Sequence, residues 1–202
     1  MAEFVIVRTI PEQIAEHLRQ EIISGSLTEG EPLREKEIAD RFGVSRGPIR
    51  EVFRQLTQQG LLELEPNKGV RVADSPSPEV RSLIVELRRK VETFILSNCF
   101  DQISEKDIQT WELILEEIKD ACQSGAKVAL TNLDIRLHEA IIQACDDQGL
   151  FTIWQTITLR MSMRYQRHGD LMESYYEHKR IIDAIRAGDK AEAIAALNAN
   201  LR

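Results

Sequence analysis

The chain has 202 residues, 43% of them hydrophobic and 29% charged, with a net charge of −7. That is enough apolar material for one large domain or two small ones. The acidic balance excludes a nonspecific nucleic-acid coat protein, so any DNA contact has to come from a local basic patch. No apolar run reaches the length of a membrane span. MAEFVIVRTI at the amino terminus lacks the charged start and long apolar stretch of a signal peptide, so a soluble cytoplasmic protein is expected. Cys99, Cys122 and Cys145 lie in apolar helical patterns without a C-x-x-C pair and are expected as reduced core thiols.

The first elements are helical. PEQIAEHLRQEIISG puts Ile14, Leu18 and Ile22 on one stripe, starts near Pro11 and stops at Gly25. LREKEIADRF predicts a shorter second helix that buries Ile38, Ala39 and Phe42 and ends at Gly43. A third runs from about Ser45 to Gly60 with Ile49, Val52, Phe53 and Leu56 as its core face. LLELEPNKGVRVAD then alternates around a PNKG turn, which predicts a two-stranded hairpin.

The prolines and serines of ADSPSPEV exclude helix there, so residues 74–78 read as a linker between a domain at 1–73 and another at 79–202. Beyond it everything reads as helix. Six helices are expected near 79–99, 104–124, 127–146, 149–167, 170–187 and 189–201, separated by corners at Ser104, Gly125, Gly149, Gly169 and Gly188. The fold class is mainly α: a winged helix-turn-helix followed by an all-helical bundle.

The Gly-Val-Ser corner carries the first functional signal. Gly43 supplies a left-handed residue, Val44 plugs the angle between two helices, and Ser45 is placed to cap the next one. Arg46 and Arg50 project from the first half of that helix, where guanidinium forks match guanine edges or phosphates. Arg54 lies one turn further on, with Glu51 expected to pair with it or with Arg50. Between Arg34 and Arg54 six basic residues stand against four acidic ones, a local excess in an acidic chain. An ordinary amphipathic helix with solvated arginines is the plainer alternative; the turn and the hairpin after it favour a DNA reader.

The second half offers three chemical features. Asp134 and His138 stand one turn apart in NLDIRLHEAII, and His178 lies on or beside the buried stripe of YYEHKRIIDAI. Such a set fits a divalent metal, Zn²⁺, Ni²⁺ or Mn²⁺, though an Asp/His pair at this spacing is also a routine surface ion pair. Arg88, Arg160 and Arg164 lie among apolar neighbours, where a cation needs an anion. His17 and His168 read as exposed, and Tyr175 and Tyr176 as candidates to line a pocket.

From Ile14 to Val72 the chain resembles the winged helix of the GntR family of bacterial transcription regulators. The resemblance implies that Lys36, Ser45, Arg46, Gly47, Pro48 and Arg50 face DNA and that Lys68 and Gly69 at the wing tip reach the minor groove or backbone. Lys36 stands where the family commonly has arginine, so a phosphate contact is expected there. From about Glu79 the segments ELRRKVE, DIRLHEAI and EHKRIIDAIRAGDKAEAIAALNANL resemble the FCD ligand-binding domain of the FadR-like branch.

That second resemblance implies a metal held by Asp134, His138 and His178 with a small carboxylate effector beside it; Arg88, Arg160 and Arg164, read from their apolar surroundings, are the candidates to meet that effector. Its fourth ligand, a histidine, falls where this chain has Asn200. A three-ligand site completed by water or effector is expected, with a looser or empty site as the alternative. Together these features predict a ligand-responsive transcription regulator, most simply a repressor, that binds a palindromic double-stranded operator as a homodimer. The alternatives are a regulator whose bundle takes an acyl ligand without metal, and a metal-dependent hydrolytic enzyme using the same three ligands.

Overall fold

The structure is a computed structural model that describes residues 9–66, 68–162 and 169–201. The chain parts into two compact units between Pro76 and Ser77.

In the first unit α1 spans Ile10–Ser24. Thr9 and Glu12 form a reciprocal capping box at its start, Pro11 occupies the first turn, and Gly25 closes it in a left-handed conformation. Then come β1 (Pro32–Leu33), α2 (Glu35–Phe42), α3 (Arg46–Gln58), β2 (Leu62–Glu65) and β3 (Gly69–Val72). Ile14, Leu18, Ile22, Ile38, Ile49, Val52, Phe53 and Leu56 are buried as their spacing predicts.

Two details differ from expectation. The sheet has three strands in the order β1-β3-β2, all antiparallel, because Pro32 and Leu33 pair with Arg71 and Val70. A two-residue strand with a proline has no alternation to read. Phe42 is half-buried, with its ring edge-on to His17 and the Arg41 guanidinium over it. The hairpin register pairs Leu62 with Val72 and Glu65 with Gly69, and Asn67 of its turn lies outside the described residues.

The second unit is a helical bundle. α4 (Pro78–Cys99) runs through a 3₁₀ turn at Phe100–Gln102 towards α5 (Glu105–Ser124). There follow α6 (Lys127–Gln143), α7 (Gln148–Ser162), α8 (Met172–Arg186) and α9 (Lys190–Asn200). Residues 163–168, which include Arg164 and His168, lie outside the described residues. Ser104 caps α5 with a second capping box, and Asp189 caps α9 by accepting from Glu192 N–H. The larger apolar core gathers Trp111, Ile114, Ile118, Leu137, Ile141, Ile181, Ile182, Ile185 and Leu197; Ile95, Ile142 and Trp154 form a smaller cluster.

The cysteines correct one expectation. Cys99 at the end of α4 and Cys145 after α6 are disulfide-bonded, with Cα atoms 5.4 Å apart, while Cys122 is a buried free thiol. Their sequence separation of 46 carries no pairing signature; the packing of α4 beside α6 brings them together. No helix among the described residues is long and apolar enough to cross a membrane.

Candidate functional site

The helix-turn-helix corner is built by backbone demands. Gly43 has φ 66° and its N–H reaches back to the carbonyls of Ala39 and Asp40. Nothing lies within 4 Å of where a Cβ would stand, so conformation rather than space requires glycine. Val44 N–H bonds the Ala39 carbonyl at 3.0 Å, which locks the angle at which α3 leaves.

Ser45 occupies the N-cap of α3, but its hydroxyl makes no capping bond there. Neither that hydroxyl nor an acidic side chain covers the first turn, so its N–H groups and the positive end of the helix dipole are presented outward.

Lys36, Ser45, Arg46, Gly47, Arg50 and Arg54 are exposed and Pro48 is half-buried against the hydrophobic face. Arg50 Nε pairs with Glu35 Oε2 of α2 at 2.9 Å, in place of the Glu51 pairing expected from spacing. The pair crosses from α2 to α3, and the Arg50 side chain stays 66% exposed, so it orients the guanidinium without covering it. For Arg46 and Lys36 there is no ion pair among the described residues. Lys68 at the wing is exposed and 3.3 Å from Glu65, and Gly69 takes φ 97°. Arg71, by contrast, is held by Glu63, Glu65 and Asp74 and braces the sheet. His17 is exposed on α1, as expected, 3.4 Å from Glu21.

The bundle contains a polar cluster where helix periodicity calls for apolar residues. On α4 the buried stripe runs Ile84, Arg88, Glu92, Ile95, Leu96, Cys99. Glu92, 1% exposed, accepts from Arg88 Nε on its own helix, from His138 Nδ1 on α6 at 2.7 Å, and from Trp154 Nε1 on α7 at 2.6 Å. Burial opposes ionisation of Glu92. The Arg88 charge, His138 and the Trp154 N–H outweigh it and bring the carboxyl down to about 2. Asp134 is likewise opposed by burial and held below the usual carboxylate range by His178, His138 and Arg88.

Hydrogen-bond partners place one proton on each ring. A carboxylate only accepts, so His138 presents Nδ1–H to Glu92; a carbonyl only accepts, so His178 presents Nδ1–H to Ser174 O at 2.7 Å. In neutral rings both Nε2 atoms are then lone pairs, and they lie 3.3 Å apart. Asp134 Oδ1 is 3.2 Å from His178 Nε2, and Asn200 Oδ1 is 3.0 Å from His138 Nε2. Asn200 Nδ2 donates to Glu177 Oε2 at 3.3 Å, which fixes the amide with its oxygen towards His138.

The ligand atoms of Asp134, His138 and His178 lie within 4.8 Å of one another, with the Asn200 oxygen against His138. With both rings neutral these acceptors repel, and either ring protonation or a cation among them relieves that. Donors bonded at 2.0–2.1 Å to a tetrahedral ion lie roughly 3.3 Å from one another. The donor set therefore fits a divalent metal ion.

The structure accordingly brings Asp134, His138 and His178 together as the sequence predicts, with their ligand atoms within 4.8 Å of one another. Asn200, named from the sequence at the fourth position, is 6% exposed beside them with its oxygen 3.0 Å from His138 Nε2. Arg88 NH2 lies 4.0 Å from Asp134 Oδ2. Arg160 is half-buried on α7 beside Met161, whose sulfur is 4.0 Å from Arg88 NH1; Arg164 lies outside the described residues. Tyr175 is buried in the core and Tyr176 is 62% exposed. Sequence reasoning missed Glu92, Trp154 and Glu177. The available signal was an acidic residue one turn from Arg88 within the apolar stripe.

Residues 10–72 match the family model of bacterial regulatory proteins, gntR family, and residues 83–202 match that of the FCD domain. A probable D-xylose utilization operon transcriptional repressor of Paenarthrobacter nicotinovorans is 27% identical, over 94% of this chain and 84% of its own. The gluconate operon transcriptional repressor of Bacillus subtilis is 28% identical, over 93% and 80%. E. coli McbR/YncC has the same fold, with a TM-score of 0.85 at 19% identity over 96% of this chain and 94% of that one. Both family models are those of regulators and both curated relatives are named as transcriptional repressors, which speaks for a regulator over the hydrolase alternative. A Gly-Val-Ser reading head and a helical domain with an Asp/His cluster, matched by both family models, make this chain a member of the GntR family of bacterial transcription regulators with an FCD domain.

Proposed function

We propose that the protein is an effector-responsive repressor whose α3 reads a palindromic operator and whose bundle holds a divalent metal next to a small carboxylate. The observation that carries the reading is the convergence of the Asp134, His138 and His178 ligand atoms, with Arg88 against Asp134. Asp134, His138 and His178 would hold the ion. When bound, the ion supplies a Lewis-acid anchor for a carboxylate oxygen, and Arg88 supplies a second charge. The name of the gluconate operon repressor among the relatives supports an organic acid as effector. Effector binding weakens the operator complex only by its differential affinity for the free and DNA-bound arrangements.

Thermal-shift screening against sugar acids and other small carboxylic acids, with and without added Zn²⁺, Ni²⁺ or Mn²⁺, tests this. The expected result is a stabilising acid whose effect requires metal and which lowers operator affinity at least about fivefold. Stabilisation that ignores metal would contradict the reading.

A palindrome needs two copies, and α4 offers a face for the second. Val80, Leu83, Leu87 and Phe94 are 42–55% exposed at spacings of three, four and seven residues, the seam of a helix awaiting a partner helix. A two-fold axis would pair this stripe with itself. In sedimentation experiments the wild type is expected as a dimer and Leu87→Glu as a monomer with weakened operator binding. An Leu87→Glu dimer would exclude this face.

A further inference from the structure

The metal reading leaves open what ion this particular donor set prefers, and Asn200 bears on that. Three features of α8 and α9 bear on its role. Asn200 is 6% exposed in the last turn of α9, where the rest of the buried stripe is Ala193, Ala196 and Leu197. An amide at such a position requires partners. It finds them on both atoms: Nδ2 donates to Glu177 on α8, and Oδ1 stands 3.0 Å from Nε2 of His138. When His138 is protonated its Nε2–H donates to Oδ1; when the ring is neutral with its proton on the Glu92 side, Oδ1 faces a lone pair. Reversing the amide would relieve it, but would set Oδ1 against the Glu177 carboxylate.

We propose, resting on the metal reading above, that Asn200 aimed by Glu177 is the fourth donor of the site and sets its ion preference towards oxygen-favouring divalent ions of the manganese(II) class. The donor set becomes two imidazole nitrogens and two oxygens, one from the Asp134 carboxylate and one from the amide. Amide oxygen is harder than imidazole nitrogen and carries the same formal charge. Exchanging one for the other therefore changes donor softness without changing the charge around the ion. Zinc remains the stronger binder in absolute terms, as the general order of divalent affinities requires. What the amide narrows is the ratio between zinc and manganese, which lets the harder ion compete. Glu177 adds a negative charge near the site and orients the amide dipole towards the cation.

The test measures Mn²⁺ and Zn²⁺ affinities of the full chain by chelator competition, with Mn²⁺ uptake also followed by electron paramagnetic resonance. Wild type, Asn200→His, Asn200→Leu and Glu177→Ala are compared, with helicity checked by circular dichroism. Asn200→His is expected to raise the zinc-to-manganese affinity ratio by about tenfold or more. Asn200→Leu is expected to weaken both ions, and Glu177→Ala to weaken Mn²⁺ binding by about tenfold, as loss of an orienting partner does. An unchanged ratio in Asn200→His, or wild-type Mn²⁺ affinity in both Asn200→Leu and Glu177→Ala, would overturn this assignment and leave the three-ligand metal site intact. Should Asn200→His fail the helicity check, the Glu177→Ala affinity decides alone. A wild type that takes up neither ion would overturn the metal reading itself.

Discussion

Replacing Arg46 and Arg50 together by alanine is expected to lower operator affinity by about 2–6 kcal/mol, roughly thirty-fold to twenty-five-thousand-fold. Both residues are exposed in the first half of α3, and neither supports the core of the first unit, which rests on Ile49, Val52, Phe53 and Leu56 of the opposite face. Thermal unfolding should therefore be unchanged while fluorescence anisotropy on labelled operator records the loss. Arg54→Ala, a full turn further from the helix start, is expected to cost less. Glu35→Ala releases Arg50 from its 2.9 Å pair without removing it, and should relax base preference more than total affinity. Full affinity in the double variant would remove α3 from the DNA interface.

Glu92→Ala is expected to destabilise the bundle by about 3–5 kcal/mol, because it withdraws the shared anion from buried Arg88, His138 and Trp154. Urea unfolding of the metal-free protein isolates this from any contribution of a bound ion. The same interaction should titrate. The folded-state value of Glu92 is depressed from 4.5 to about 2, so its contribution is complete above pH 4.5 and is lost as pH falls towards 2. Below pH 4.5 the stability of the wild type should therefore fall more steeply than that of Glu92→Ala. Equal slopes would mean that the carboxylate is not stabilised by these partners.

The elements were legible wherever hydrophobic periodicity and glycine corners coincide. α1 and α5 begin and end within about two residues of expectation because capping boxes and Gly25 or Gly125 mark their ends, and α3 does so through the spacing of its apolar face. β1 was not legible, since Pro32 and Leu33 become a strand only through pairing with β3. Asp134, His138 and His178 could be named from resemblance, but spacing alone favoured a surface ion pair for Asp134 and His138. Glu92 was hidden for the same reason: an arginine and a glutamate one turn apart are routine on exposed helix faces, and only the packing of α6 and α7 against α4 turns that pair into a buried hub. Cys99 and Cys145 needed that packing too. The orientation of the Asn200 amide depends on Glu177, twenty-three positions away, and no local pattern encodes it.

The most direct test of the central claim is selection from a pool of random DNA duplexes by the full-length protein. The account predicts enrichment of a two-fold symmetric pair of half-sites, with guanine preference at positions that become indifferent when the selection is repeated with Arg46→Ala and Arg50→Ala. Recovery of no common sequence, or of the same sequence by the double variant, would contradict it.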